Sequence, residues 1–391
     1  MTRFLFVIAG ISFASSLFVR MTDPIVPQIA ADLAVDVQLA AMLGTAFALP
    51  WALMQPILGP VADLVGKTRV ITICVAILGI SALIGAFAPN FSVLLASRIV
   101  AGAAAGGVFP VSVALIGDLV PMQSRQVAIA RLLIGSIGGM FVGATLSGVL
   151  ADLISWRGVF VATAASAVVG FATAALGLRG TERFESGGLN LKTALANYRQ
   201  VFSNPRAKVC YSAVFAEGVA LFGLFPYVAL LLLATGEVRA SIAGLVVAGF
   251  AIGGLIYSVS VGRLVARFGQ RRLMMAGGSM AALALLTEAA LPAWPVQLAA
   301  ISAMGLGFFL LHGSIQVQMT ELAPTARGTA VAMHSFSYFM GQALGPIAYL
   351  AGFALIGQSP TLVVAAAIMA MVGFVVPRLL FGSRAPPQAK A

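Results

Sequence analysis

Of the ionisable residues inside otherwise apolar stretches of this sequence, Glu288 reads as a supporting residue and six stand out for chemistry: Arg20, Asp23, Arg98, Glu217, His312 and His334. A charge held away from water is costly, so each is a candidate for a substrate contact, a proton site or a buried partner. Residue type sorts them into two sets. Arg20 and Asp23 lie three residues apart, a spacing at which side chains meet on one helix face, and Arg98 offers a second guanidinium to the same carboxylate. That set could work as an ion pair for which substrate or proton competes, its positive excess would suit an organic anion, and a static structural pair is the plain alternative. The second set contains the only two histidines of the chain. Imidazole exchanges its proton near neutrality and Glu217 adds a second proton-binding group, so this set suits proton handling or substrate contact, with satisfied packing as the alternative. Three possible metal ligands on three separate segments, without supporting partners, make a weak metal signal, and no metal or cofactor is expected.

The elements that must position these groups cannot be those of a water-soluble domain. Of 391 residues, 60% are hydrophobic and only 9% are charged, against roughly 25% charged in soluble domains. Apolar runs long enough to cross a bilayer, about 20 residues each, recur at 4–28, 39–60, 69–88, 91–117, 127–152, 156–178, 209–235, 240–263, 272–291, 294–319, 327–355 and 360–381. The expectation is an all-α integral membrane protein with lipid on its outside. The opening MTRFLFVIAGISFASSLFVR could pass for a signal peptide, but the apolar pattern runs on through PIVPQIA, so it reads as the first span.

Net charge is +11, and all the lysines and arginines except Arg20, Arg98, Arg157 and Arg239 lie in or beside segments on one side of the membrane. That asymmetry is the positive-inside pattern; it places both termini in the cytoplasm and accounts for the basic charge without nucleic acid. Cys74 and Cys210 fall within spans and form neither a disulfide framework nor a metal spacing. One long hydrophilic interruption, 179–208, carries room for a short surface helix at 189–203 and divides the chain. The expected domains are an N-terminal bundle at 1–178, a cytoplasmic linker at 179–208, and a C-terminal bundle with a short tail at 209–391. Counting along the spans puts Arg20 and Arg98 roughly 10 Å, and Asp23 roughly 6 Å, below the outer surface. The same count puts Glu217, His312 and His334 about 10 to 14 Å above the cytoplasmic face, so each set can meet at one level.

An internal repeat is visible. GPVADLVGKTR at 59–69 returns 203 positions later as GRLVARFGQRR at 262–272, and at that offset Gly102 answers Gly305, Asp118 answers Glu321 and Pro121 answers Pro324. With one residue deleted, Arg125 answers Arg327, Gly139 answers Gly341 and Gly143 answers Gly345. Parallel repeats with a cleft between them suit alternating access. On GPVADLVGKTR, its degenerate second copy and SRIVAG around Arg98, the chain resembles the major facilitator superfamily over essentially its full length. The resemblance implies twelve helices in two pseudo-symmetric six-helix bundles, with the first and fourth spans lining a central cavity. The fourth-span arginine, here Arg98, is associated in that family with proton-coupled export. Within the twelve-helix drug:proton antiporter branch, the fifth span carries a glycine and proline signature. Here GMFVGATLSG has Ala144 where that branch has proline, and GQALGP at 341–346 is the fuller version.

The charged loop reads as a gating latch: Gly59 for close helix approach, Gly66 for a tight turn, and Asp63 and Asp118 as partners of Lys67 and Arg69. In the second copy Ala266 replaces the acid, leaving Glu321 to pair with Arg271 or Arg272. Loop charges that merely set topology are the alternative. The cavity wall is expected to include Trp51, Gln55, Phe222, Phe225, Tyr227, Phe309 and Tyr338. No phosphate loop or catalytic triad is present, so the chain reads as a gradient-driven transporter and not an enzyme. The expected function is proton-coupled export of small amphipathic compounds or metabolites by a monomer in a bacterial-type inner membrane. An organic-anion transporter using Arg20 and Arg98 is the alternative, and a non-transporting membrane sensor the third. Substrate and protons are the expected partners.

Overall fold

Within hydrocarbon every backbone N–H and C=O must be satisfied inside the protein, so apolar runs of this length become helices. The computed structural model describes residues 2–180, 191–320 and 327–381. In chain order its helices are α1 (Thr2–Arg20), α2 (Val26–Asp32), α3 (Val37–Ala40), α4 (Met42–Val65), α5 (Lys67–Ala86), α6 (Phe91–Leu119), α7 (Met122–Leu153) and α8 (Trp156–Gly177). They continue as α9 (Leu191–Ser203), α10 (Pro205–Glu217), α11 (Val228–Ala234), α12 (Ala240–Ala289), α13 (Trp294–Thr320), α14 (Arg327–Ile356) and α15 (Gln358–Phe381). No strand occurs among the described residues.

Among the described residues, eleven helical stretches are long and apolar enough to cross a membrane. One of them, α12, has 50 residues and is interrupted at Gly269, whose φ of 73° leaves the helical region. Gly66 does the same between α4 and α5 with φ 110°. These two glycines are the pair at the 203-residue offset, so the repeated motif is in part a repeated chain reversal that a Cβ would disfavour.

The chain forms two compact units that are discontinuous in sequence. Unit 1 comprises 1–189, 223–248 and 342–350; unit 2 comprises 190–222, 249–341 and 351–391. In unit 1, Gly135, Gly139 and Gly143 of α7 lie against the carbonyls of Ala9, Phe13 and Leu17 of α1, and Gly102 of α6 lies against the backbone of Phe47 of α4. Small residues spaced by four let backbones approach closely where lipid gives no hydrophobic drive between helices. Unit 2 repeats the device: Gly305 of α13 lies against Phe250 of α12, and Gly341 of α14 against Phe215 of α10. Both members of each contact are displaced by the same offset, 203 for Gly102 with Phe47 and 202 for Gly139 with Phe13. The repeat therefore extends to packing.

The helix breaks also recur. A 3₁₀ turn at Asp23–Ile25 separates α1 from α2, and one at Phe225–Tyr227 precedes α11, with Pro24 and Pro226 at the matching places. Proline lacks the N–H that a continuing helix needs. Gly59 differs from expectation: a Cβ there would meet nothing within 4 Å, so it serves no close helix approach, a role that Gly102, Gly106 and Gly107 take.

Candidate functional site

Unit 1 holds the first ionic set. The break after Arg20 turns Arg20 and Asp23 towards each other, and Arg20 Nη1 donates to Asp23 Oδ2 at 3.2 Å. Arg20 Nη2 donates to Gln342 Oε1 at 3.1 Å, and its guanidinium lies over the Phe225 ring, 4.6 Å from the centroid. Arg98 does not hydrogen-bond Asp23 directly; Nη2 donates to the Phe18 carbonyl at 3.0 Å and the group lies 4.4 Å over the Phe47 ring. Carbonyl oxygen and ring faces thus absorb positive charge that one carboxylate cannot balance. All three residues are buried, and Asp23 Oδ1 has no hydrogen-bond partner among the described residues. Arg20, Trp51 and Gln342 line a cavity of about 10 Å³, about the least space that admits a single water.

Around this set, unit 1 is tied by contacts that sequence reasoning missed. Asp152 at the end of α7 accepts from the backbone N–H groups of Ala240 at 3.0 Å and Ser241 at 2.8 Å, capping α12. Such a cap satisfies orphan donors and complements the helix dipole. Thr45 donates to the Ala343 carbonyl at 2.8 Å, and Tyr227 to the Pro346 carbonyl at 2.8 Å. Gly148 approaches the backbone of Ala240 and Gly244 that of Ala144, so the fifth-span stretch lacking proline is where α7 and α12 touch. Nearby, hydrogen bonds from Arg239 hold the Glu237 carboxyl down at about 2, so it stays ionised at every physiological pH.

Unit 2 holds the second set in direct contact. His312 Nδ1 lies 2.6 Å from Glu217 Oε2, and His334 Nε2 lies 3.2 Å from His312 Nε2. α10 supplies Glu217, α13 His312 and α14 His334. Glu217 is fully buried and followed at once by a π-helical turn, Gly218–Phe222, a feature frequent at functional sites. Phe308 stacks on His312 with centroids 4.6 Å apart, and Tyr338 lies 5.0 Å from it. Phe222 packs on Phe308 at 5.2 Å and on Tyr338 at 5.3 Å. Among the described residues, no group of three or more His, Cys, Asp and Glu has a geometry that could hold a metal ion.

Of the expected wall residues, Trp51, Gln55, Phe309 and Tyr338 are half-buried, whereas Phe222, Phe225 and Tyr227 are packed away entirely. In the loop after α4, Lys67 joins Asp63 at 3.2 Å and Asp118 at 2.5 Å. Arg69 borders a surface pocket with Thr68, Thr72 and Arg179. Arg271 and Arg272 are exposed, and Glu321 lies outside the described residues.

Spanning helices, glycine contacts repeated at offsets of 203 and 202, and buried ionic clusters define a polytopic membrane protein built on an internal duplication. A family model, the Major Facilitator Superfamily, matches residues 8–346 and 214–391, and the chain belongs to that superfamily. It is therefore a transport protein and not an enzyme, and an all-helical multi-pass membrane protein. It is similar to the uncharacterized MFS-type transporter YfhI of Bacillus subtilis (strain 168), 31% identical over 38% of this chain and 37% of that one. Over 86% of both chains it is 22% identical to Multidrug resistance protein 1 of the same organism. Quinolone resistance protein NorA of Staphylococcus aureus (strain N315) is 29% identical over 44% of each chain. Among solved structures, a bacterial homolog of the human lysosomal transporter Spinster superposes with TM-score 0.71 at 17% identity, covering 99% of this chain and 98% of that one. That likeness concerns the fold.

Proposed function

We propose that this protein exports small amphipathic compounds in exchange for protons, by alternating access, as a monomer in a bacterial-type cytoplasmic membrane with both chain ends in the cytoplasm. The observation that carries the reading is the contact of Glu217 with His312, a carboxyl and an imidazole joined at 2.6 Å inside an aromatic shell. Gain of a proton there changes the charge of a largely buried site, and a buried charge shifts the relative cost of two conformations by more than a surface pair does. Apolar rings around it fit an amphipathic substrate, and the names of the drug-resistance relatives point the same way. The positive-inside pattern supports the orientation. Donors of Arg20 and Arg98 are engaged by Asp23, Gln342 and the Phe18 carbonyl, which favours a paired cluster over the organic-anion alternative.

Purified protein in proteoliposomes with an imposed pH gradient tests this. A lipophilic fluorescent amine should accumulate against its gradient and be released by a protonophore. Glu217→Gln should fold and bind the compound, lose at least about tenfold in gradient-driven rate, roughly 1.4 kcal/mol of transition-state stabilisation, and show a flat pH profile. An unchanged pH profile in Glu217→Gln would move proton coupling away from this site. Gradient-driven transport of carboxylates, abolished by Arg20→Ala, would replace the reading with that of an anion carrier.

A further inference from the structure

We propose that Glu217, His312 and His334 act as one hydrogen-bonded chain that binds a single proton and, in doing so, inverts the donor and acceptor character of His334 Nδ1 on α14. The proposal deepens, and rests on, the reading of Glu217 with His312 as the proton site.

The contacts fix the tautomers. A neutral imidazole carries one N–H and one lone pair, and an ionised carboxylate only accepts. With Glu217 ionised, His312 must donate from Nδ1 to Oε2, so its Nε2 accepts. The 3.2 Å contact then requires His334 to donate from Nε2, which leaves His334 Nδ1 a bare lone pair.

Let one proton bind that lone pair. The Nε2 proton of His334 passes to His312 Nε2, and the Nδ1 proton of His312 passes to Glu217 Oε2. Glu217 is now a neutral acid donating to His312, His312 donates to His334, and His334 Nδ1 carries an N–H. One proton has entered, two have moved along existing hydrogen bonds, and the net charge of the chain has risen from −1 to 0. No electron is transferred.

The ends of the chain make this consequential. Glu217 Oε1 and His334 Nδ1 are both buried and have no hydrogen-bond partner among the described residues. A buried lone pair is stabilised by a donor and a buried N–H by an acceptor, and leaving either unmet costs about 1 to 3 kcal/mol. The surroundings preferred by α14 at His334 therefore differ between the two protonation states. A ligand or proton that favours one arrangement over another shifts its population. The π turn after Glu217 ends at Phe222, whose ring packs on Tyr338 one turn beyond His334, so α10 and α14 meet again beside the chain.

Among the described residues, tyrosine hydroxyls and a thiol are the titratable groups set around the chain. Tyr338 of α14 lies 5.0 Å from His312, and the hydroxyl of Tyr257 of α12 lies against Gly313 of α13. Lower on α10, Tyr211 donates to the Ala330 carbonyl and Cys210 is buried, while α9 presents Phe202 to Tyr211. On α15 no ionisable side chain occurs between Gln358 and Val376.

Because the protein has two histidines, ¹⁵N-histidine NMR of the full chain in lipid nanodiscs reads both imidazoles at once, and His334→Gln assigns them. On lowering pH, His312 should change from the Nδ1–H to the Nε2–H tautomer and His334 from Nε2–H to Nδ1–H, at a common midpoint. Glu217→Gln should abolish both changes. His334→Gln keeps a donor for His312 but lacks Nδ1; it should bind substrate within about threefold of wild type and lose about tenfold or more of proton-driven transport. Separate midpoints, or fixed tautomers while Glu217→Gln still flattens the pH profile of transport, would overturn the chain and leave the proton site standing. A pH profile untouched by Glu217→Gln would remove the underlying reading. Where a variant fails to fold, the wild-type spectrum alone decides.

Discussion

Arg98 is held by geometry as much as by charge. Its guanidinium donates to the Phe18 carbonyl and covers the Phe47 ring, while the carboxylate of Asp23 pairs with Arg20 instead. A lysine in its place keeps the charge but loses the planar face and the fork of donors. Arg98→Lys should therefore lower thermal stability and slow transport severalfold, and Arg98→Ala should cost more, about 1 to 3 kcal/mol for the buried carbonyl left without a donor. Differential scanning fluorimetry with transport rates checks the order. Equal stability of wild type and Arg98→Lys would show that charge alone matters. Asp23→Asn should leave the cation contacts of Arg98 intact and so perturb stability less than Arg98→Ala.

α7 is the element on which unit 1 depends. One face carries Gly135, Gly139 and Gly143 against α1, and its end carries Gly148 and Asp152 against the start of α12. Gly139→Leu would drive a side chain into the Phe13 backbone and should prevent folding, whereas Gly59→Leu, with open space around it, should express normally. Asp152→Ala removes a cap worth about 1 kcal/mol. If the cap also holds this end closed, labelling of an Ala240→Cys reporter by an aqueous thiol reagent should rise about fivefold in the Asp152→Ala background, the population change that about 1 kcal/mol allows. Unaltered labelling would reduce Asp152 to a local cap. Such contacts were not legible in the sequence, because Asp152 and Ala240 are joined only by how two distant helices cross. The meeting of Glu217, His312 and His334 was legible, since a fixed rise per residue turns position into depth. Hydropathy predicted twelve spans, and the described residues hold eleven apolar helical stretches, two of the expected spans running together as α12. Periodicity could not tell that Phe222, Phe225 and Tyr227 would pack away while Tyr338 stays half-buried. Gly59 misled because glycine marks room for contact without supplying the neighbour.

Duplication shaped the whole chain, and the two copies have diverged in chemistry while keeping their packing. The places equivalent to Arg20, Asp23 and Arg98 hold Phe222, Phe225 and Ile301, and those equivalent to Glu217, His312 and His334 hold Ser15, Phe109 and Leu132. Each copy thus retains one ionic set and fills the other with uncharged side chains, apolar at every place except Ser15, as a division between a paired cluster and a titrating one would require. For that division to serve export, the molecule must lie in the membrane with its basic ends inside. The native thiols of Cys74 and Cys210 are buried, so a background with both changed to alanine should behave as wild type and allow single reporters. Val238→Cys and Phe87→Cys, at positions 74% and 77% exposed, should react with an impermeant maleimide added to intact cells. Leu64→Cys, 67% exposed, and Arg179→Cys should react only after permeabilisation, because the flanking Lys67, Arg69 and Arg179 region belongs to the cytoplasmic side under the positive-inside rule. The reverse pattern would invert the topology, and with it place the Glu217 set in the outer half and the Arg20 set in the inner half of the membrane.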